Sequence, residues 1–235
     1  MMSSLSRVAE YYARHGFRAT IRRARVALSR ALFASRMVVF YFDLSKQTCP
    51  VAIPDSFRIY RLRSESELSR QDLETMLRLW NPKLAQRNMK ERFAEGASLW
   101  LIRSGDQVAG YGWTLQGRTI EPYYFPLGRE DAHLFDFHVF PQYRGQGINP
   151  VLVGEILQRL ANDCGGRAFI EAAEWNEAQL SSLRKTPFGC LGLARSFSLF
   201  GHNFTSWTES ENLKQARKRK ENRNHGPAMA RSHER

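Results

Sequence analysis

Apolar and polar positions alternate along this chain in two rhythms, one of period two and one of period three to four. Residues 7–36 follow the helical rhythm, with Phe17, Ile21, Ala24, Leu28, Ala31 and Leu32 on one face and Arg14, Arg18, Arg22, Arg25 and Arg36 off it. Met37 to Phe42 is a short strand-like run, and Pro50 and Pro54 mark a loop after it. Phe57 to Leu62 alternates as a strand. Ser64-x-x-Glu67 has the form of a capping box, with Leu68, Leu73, Met76, Leu77 and Trp80 at helical spacing behind it. Asn81-Pro82 stops that helix, and a second runs from Lys83 to Glu95, closed by Gly96. Ser98–Arg103 and Gln107–Leu115 read as strands joined through Ser104-Gly105-Asp106, and a further strand is expected from Arg118 to about Tyr124. Leu134 to Phe140 is apolar and β-favouring, and Pro141, which cannot donate to a ladder, ends it. A helix follows to about Asp163, then a buried-type strand over Arg167–Ala173. A helical crossover between two strands implies a parallel pair. Asn176–Lys185 reads as a short helix ended by Pro187, and a last strand is expected over about 194–204. Beyond Thr208 the chain is polar, basic and without periodicity, the pattern of a disordered tail.

The candidate chemistry gathers at the passage from the Leu134–Phe140 strand into its helix. Gly145 and Gly147 allow a sharp turn that presents backbone N–H groups, and the helix opening behind them adds its own unpaired N–H groups and dipole. Such a turn suits an anion, usually a phosphate. The dinucleotide fingerprint requires a third glycine where Pro150 stands, and no Walker lysine is present.

The run Gln142-x-x-Gly145-x-Gly147, after a strand and before a helix, resembles the acyl-CoA loop of the GNAT superfamily of N-acyltransferases. Arg144 stands at a position often basic in that family, and Val139-x-Pro141-x-Tyr143 and Ile148…Leu152 match as well. The resemblance extends over about residues 57–204, with recognisable motifs in 134–176. It implies an α/β (α+β) fold: a mixed, mostly antiparallel twisted sheet with a splayed parallel central pair, flanked by helices. It implies acetyl-CoA, or another acyl-CoA, as cosubstrate and a primary amine as acceptor, whether a small amine, an amino sugar or a protein amine. The cofactor residues it implies are His138, Val139, Phe140, Gln142, Tyr143, Arg144, Gly145, Gln146, Gly147 and Ile148, with Asn176 on the pantetheine side. The family's usual tyrosine acid falls at Leu183, a departure that leaves the thiolate without that donor. It also motivates a second reading, a non-catalytic GNAT-shaped module that binds CoA or regulates.

Acyl transfer to an amine needs a proton acceptor, a donor to the thioester oxygen, and positioning. Alternation along the strand puts Asp136 and His138 on one face, with Phe135, Phe137 and Val139 on the other. Two ionisable residues in a central strand are unusual. They are candidate bases, with Glu121 and His133 behind them; the alternative is a satisfied polar pair.

Composition narrows the setting. The 235 residues include three scattered cysteines, Cys49, Cys164 and Cys190, in no metal-binding spacing. Their number and placement point to a reducing compartment and no disulfide framework. No apolar run is long enough for a spanning helix. The net charge of +12 sits at the ends: +7 within residues 1–36 and +5 within 211–235, leaving 37–210 at zero. A basic face on the body is therefore not expected, which argues against specific nucleic-acid binding. Residues 7–36 suit an anionic membrane surface, a packed helix, or a targeting presequence. The expected organisation is a basic helical extension over 1–45, an acyltransferase-like domain over 46–205 and a basic tail over 206–235. The expected location is cytoplasmic, with membrane association through the extension.

Overall fold

A computed structural model describes residues 36–46, 52–78, 81–120, 123–163, 165–199 and 202–210. The basic segment 7–35 and the tail from 211 lie outside these residues. The described chain forms strands β1 (Met37–Asp43), β2 (Phe57–Leu62), β3 (Ser98–Ser104), β4 (Gln107–Gln116), β5 (Ala132–Val139), β6 (Arg167–Ala173), β7 (Gly189–Leu199) and β8 (His202–Glu209). Its helices are α1 (Arg70–Leu77), α2 (Pro82–Ala94), α3 (Ile148–Asp163) and α4 (Glu177–Leu183).

All eight strands join one sheet in the order β2-β3-β4-β5-β6-β1-β7-β8. Every pairing is antiparallel except β5 with β6. That parallel pair lies at the centre, because the α3 crossover returns the chain to the same end of the sheet. β1 is inserted between β6 and β7, with Val39 opposite Glu171 on one side and Gly192 on the other.

Side-chain alternation divides the core into two layers. Trp100 and Ile102 of β3 face α3, where Leu152, Ile156 and Leu157 are fully buried. Leu99 and Leu101 face the opposite way, toward Met76 of α1 and Met89 of α2. Each fully buried Leu or Ile contributes about 1.5–3 kcal/mol relative to exposure, so helices cover both faces of the central strands. Local signals set the helix starts: Ser69 accepts from the Asp72 N–H, and Asn81 accepts from the Leu84 N–H at 3.2 Å.

Three expectations are corrected. The Ser64–Glu67 box does not cap the helix: Ser64 Oγ donates to Glu67 Oε1, only a single 3₁₀ turn, Glu65–Glu67, follows, and the chain becomes extended at Leu68 before α1 starts from Ser69. No strand forms over the described part of 118–124. Gly117, at φ +73°, turns the chain away, and Tyr123 packs on His133 instead of alternating. The expected final strand is two strands, β7 and β8, paired antiparallel from Gly192↔Glu209 to Leu199↔His202. No helix among the described residues is long and apolar enough to cross a membrane.

Candidate active site

The site begins with a fault in β5. Its register with β4 runs Trp113↔Phe135 and then Tyr111↔His138, so Asp136 and Phe137 together oppose the single residue Gly112. Asp136 takes up the extra residue at φ +51°, the one non-glycine with positive φ among the described residues. Gly112 has no side chain because the Phe137 ring crosses it: a Cβ there would sit 2.4 Å from Phe137 Cε1. The bulge corrects the expected alternation. Phe137 and Val139 pack with the α3 layer, whereas Phe135 belongs to the α1/α2 layer.

The bulge also frees β5 from β6. The parallel ladder holds only from Ala132↔Ala168 to Leu134↔Ile170, while β5 continues to Val139 and β6 to Ala173. Between the diverging strands lies a cleft of about 480 Å³. One wall consists of Phe137, His138 and Val139, then Tyr143, Arg144, Gly145, Gly147 and Ile148. Asn176, Gln179, Ser182 and Lys185 line it from the α4 side. Gly145 and Gly147 have φ of +80° and +74°, and a Cβ on either would meet no protein atom within 4 Å. Left-handed backbone, not crowding, therefore requires glycine at both.

Eight of the expected cofactor residues line the cleft: His138, Val139, Tyr143, Arg144, Gly145, Gly147, Ile148 and Asn176. Three do not. Phe140 is buried in the α1/α2 layer, its N–H donating to Ala109 O at 3.0 Å. Gln142 and Gln146 are exposed, and Gln146 Nε2 donates to Gln142 O at 3.3 Å. The Asn176 side chain is occupied as the cap of α4, accepting from the Gln179 N–H at 3.2 Å. Asn149 Nδ2 donates to Ser182 Oγ at 2.9 Å and ties α3 to α4 across the cleft. Leu183 is fully buried in the core, turned away from the cleft.

Asp136 and His138 both lie toward α2, yet they do not bond to each other. The Asp136 carboxylate is 2.5 Å from Arg92 Nη1, whose guanidinium lies over Trp113 and Phe135. An ion-paired carboxylate is a poor proton acceptor. The His138 ring stacks on Tyr111 with centroids 5.7 Å apart. Burial first, then the Arg144 cation, hold its imidazole below the usual histidine range against the opposing charge of Asp136. It is therefore neutral at neutral pH, and its buried Nε2 has no hydrogen-bond partner. Glu121 lies outside the described residues.

A second polar group joins His133, one of the candidate bases, to two residues that the sequence did not single out. His133 Nε2 lies 3.0 Å from Glu171 Oε2, and the Tyr123 hydroxyl donates to the same oxygen at 3.0 Å. Glu171 had read as part of a buried strand and Tyr123 as part of another; a charged residue within an otherwise apolar strand was the available signal.

The site thus sits in a helix-flanked, mostly antiparallel sheet that splays at its parallel pair, with a two-glycine turn over the opening. The model of the acetyltransferase (GNAT) family matches residues 58–185, over half of the chain, and the chain belongs to that family. Among curated relatives, N-acetyltransferase 8B of Rattus norvegicus is 41% identical over 70 residues, 30% of this chain and 29% of the relative. N-acetyltransferase 8 of Mus musculus is 40% identical over 70 residues, 30% of this chain and 28% of the relative. The matched stretch thus spans under a third of either relative. A solved tandem GNAT protein from the clavulanic acid biosynthesis pathway shares the fold with a TM-score of 0.50 at 13% identity, over 80% of this chain and 59% of that chain.

Proposed function

We propose that this chain is an N-acyltransferase that moves an acetyl or other acyl group from acyl-CoA to a primary amine. The observation that carries this reading is the cleft between β5 and β6, roofed by the Gly145/Gly147 turn and the start of α3. Asn149, which lines it, holds a buried polar atom without a partner, its Oδ1. An orphaned polar atom of this kind suits a ligand carrying amide and carbonyl groups, as a pantetheine arm does. The N–H groups of the turn and of the α3 start suit the pyrophosphate, and Arg144 and Lys185 bring two cations to the same cleft. Beyond Leu134, the edge of β5 that faces β6 has no strand partner, and an unpaired strand edge suits the arm and the thioester oxygen. A neutral His138 can donate or accept a proton.

Thermal shift with CoA and with acetyl-CoA tests the cofactor, and a mass-spectrometric screen of primary amines tests transfer. No rise in melting temperature with either thioester or thiol refutes the cofactor assignment. The second reading, a GNAT-shaped module without turnover, is favoured by Leu183, since a buried leucine stands where the family's thiol-protonating tyrosine is expected. A strong CoA shift with no acylation of any amine supports it.

A further inference from the structure

The His133–Glu171–Tyr123 group stands at the apex of the splay. Leu134↔Ile170 is the last pair of the parallel ladder; His133 directly precedes Leu134, and Glu171 directly follows Ile170. Ile170 and Leu134 point into the α3 layer, so by alternation His133 and Glu171 project from the opposite face of the sheet. The cleft assigned to the cosubstrate is bounded by α3 and α4, so this group lies across the sheet from α3, at the point where the strands part.

One carboxylate, that of Glu171, stands at the centre of this group. Glu171 is held on three sides: His133 Nε2 at 3.0 Å, the Tyr123 hydroxyl at 3.0 Å, and Gln179 Nε2 on its backbone oxygen at 3.3 Å. Its side chain keeps 19% of its surface open, so the carboxylate is cradled and not sealed. Aromatic rings pack on its two side-chain partners. Tyr123 packs on His133 at 4.9 Å, Tyr124 on Tyr123 at 4.9 Å, and Phe135 on His133 at 5.2 Å. A carboxylate that keeps open surface can pair with an ammonium group. His133 is only 7% exposed, and its second nitrogen, Nδ1, is buried without a partner. Among the described residues no other carboxylate sits at this apex, and Asp136 is already committed to Arg92.

We infer that Glu171, positioned by His133 and Tyr123, binds the ammonium group of the acceptor and takes its proton as the amine attacks. This rests on the transferase reading above. The bound ammonium gives one proton to the Glu171 carboxylate, and the freed lone pair bonds to the thioester carbonyl carbon. The C–S bond then breaks with its electron pair on sulfur. A second N–H proton passes to that sulfur, leaving an amide and free CoA, and Glu171 returns its proton to water. Tyr123 and His133 are positioning residues.

The test uses the full chain with acetyl-CoA and three probe acceptors: glucosamine, phenethylamine and an alanine-initiated tripeptide. Free thiol is measured with the best of them. Glu171→Gln is expected to lower kcat/KM for the amine about 10²–10⁴-fold, the usual range for a general base, with acetyl-CoA affinity unchanged. The defect is expected to shrink with trifluoroethylamine, which is largely neutral at neutral pH and needs less help losing a proton. A merely structural residue would show the same defect with both amines. Tyr123→Phe, which removes one hydrogen bond and keeps the carboxylate, is expected to show a smaller loss of the same kind. If Glu171→Gln does not fold, Glu171→Asp takes its place, with the same amine dependence expected. Turnover within threefold of wild type in the carboxylate variant, or a hundredfold loss in Asp136→Asn instead, overturns the assignment while leaving the transferase reading intact. A wild-type enzyme that binds acetyl-CoA yet acylates none of the probes overturns the transferase reading and the role of Glu171 with it.

Discussion

The bulge in β5 should be an energetic unit shared by Gly112 and Phe137. In Gly112→Ala the new methyl group would meet the Phe137 ring at 2.4–2.7 Å, well inside van der Waals contact. Either the ring leaves its position or β4 shifts, and overpacking of this kind costs about 1–3 kcal/mol. For a chain of this size each kcal/mol lowers Tm by roughly 2–4 °C. Because Phe137 also lines the cleft, CoA affinity should fall as well. Phe137→Ala creates the space that the methyl group needs. The double variant should therefore be less destabilised than the sum of the two single ones, with a coupling of about 0.5–3 kcal/mol. Differential scanning calorimetry on the four proteins, with CoA titrations, measures both effects. An unchanged Tm for Gly112→Ala, or strictly additive costs, would refute the claim that the ring is the reason for the glycine and that the two together maintain the splay.

Other variants address the turn, the core and the histidine. Gly147→Glu forces a side chain into left-handed backbone, which costs about 1–2 kcal/mol, and sets a carboxylate at the anion site; a folded variant should lose the CoA-dependent rise in Tm, and retention of that rise would move the site elsewhere. Leu183→Tyr should not restore a thiol-protonating acid, since the side chain is fully buried under α4; it should lower Tm without raising turnover, and a faster enzyme would contradict this placement. The lowered pKa of His138 makes the folded state bind its proton later than the unfolded chain does. Stability is therefore at its full value above the unfolded histidine pKa of about 6.5 and falls as pH drops below it, so His138→Gln should flatten the decline of Tm between neutral and mildly acid pH. An identical Tm–pH slope in the variant would show that His138 is not the group responsible.

The sequence alone determined most of the elements and the turn that matters. β2 and β6 are legible to the residue, because strong apolar patterns bounded by turn residues leave few alternatives. Gly145 and Gly147 are legible because backbone at positive φ selects glycine whatever surrounds it. The stretch after Gly117 and the β7–β8 hairpin were not, since rings packing on distant neighbours decide the first and pairing partners decide the second. Only the tertiary structure revealed which way the chemistry points. One extra residue in β5, invisible to alternation, reverses the facing of Phe137 and hands Asp136 to Arg92, 44 positions away. Glu171 meets His133 and Tyr123 across 38 and 48 residues. Local pattern encodes local backbone, but a proton acceptor is defined by what approaches it, and that depends on which strands lie side by side and where they part.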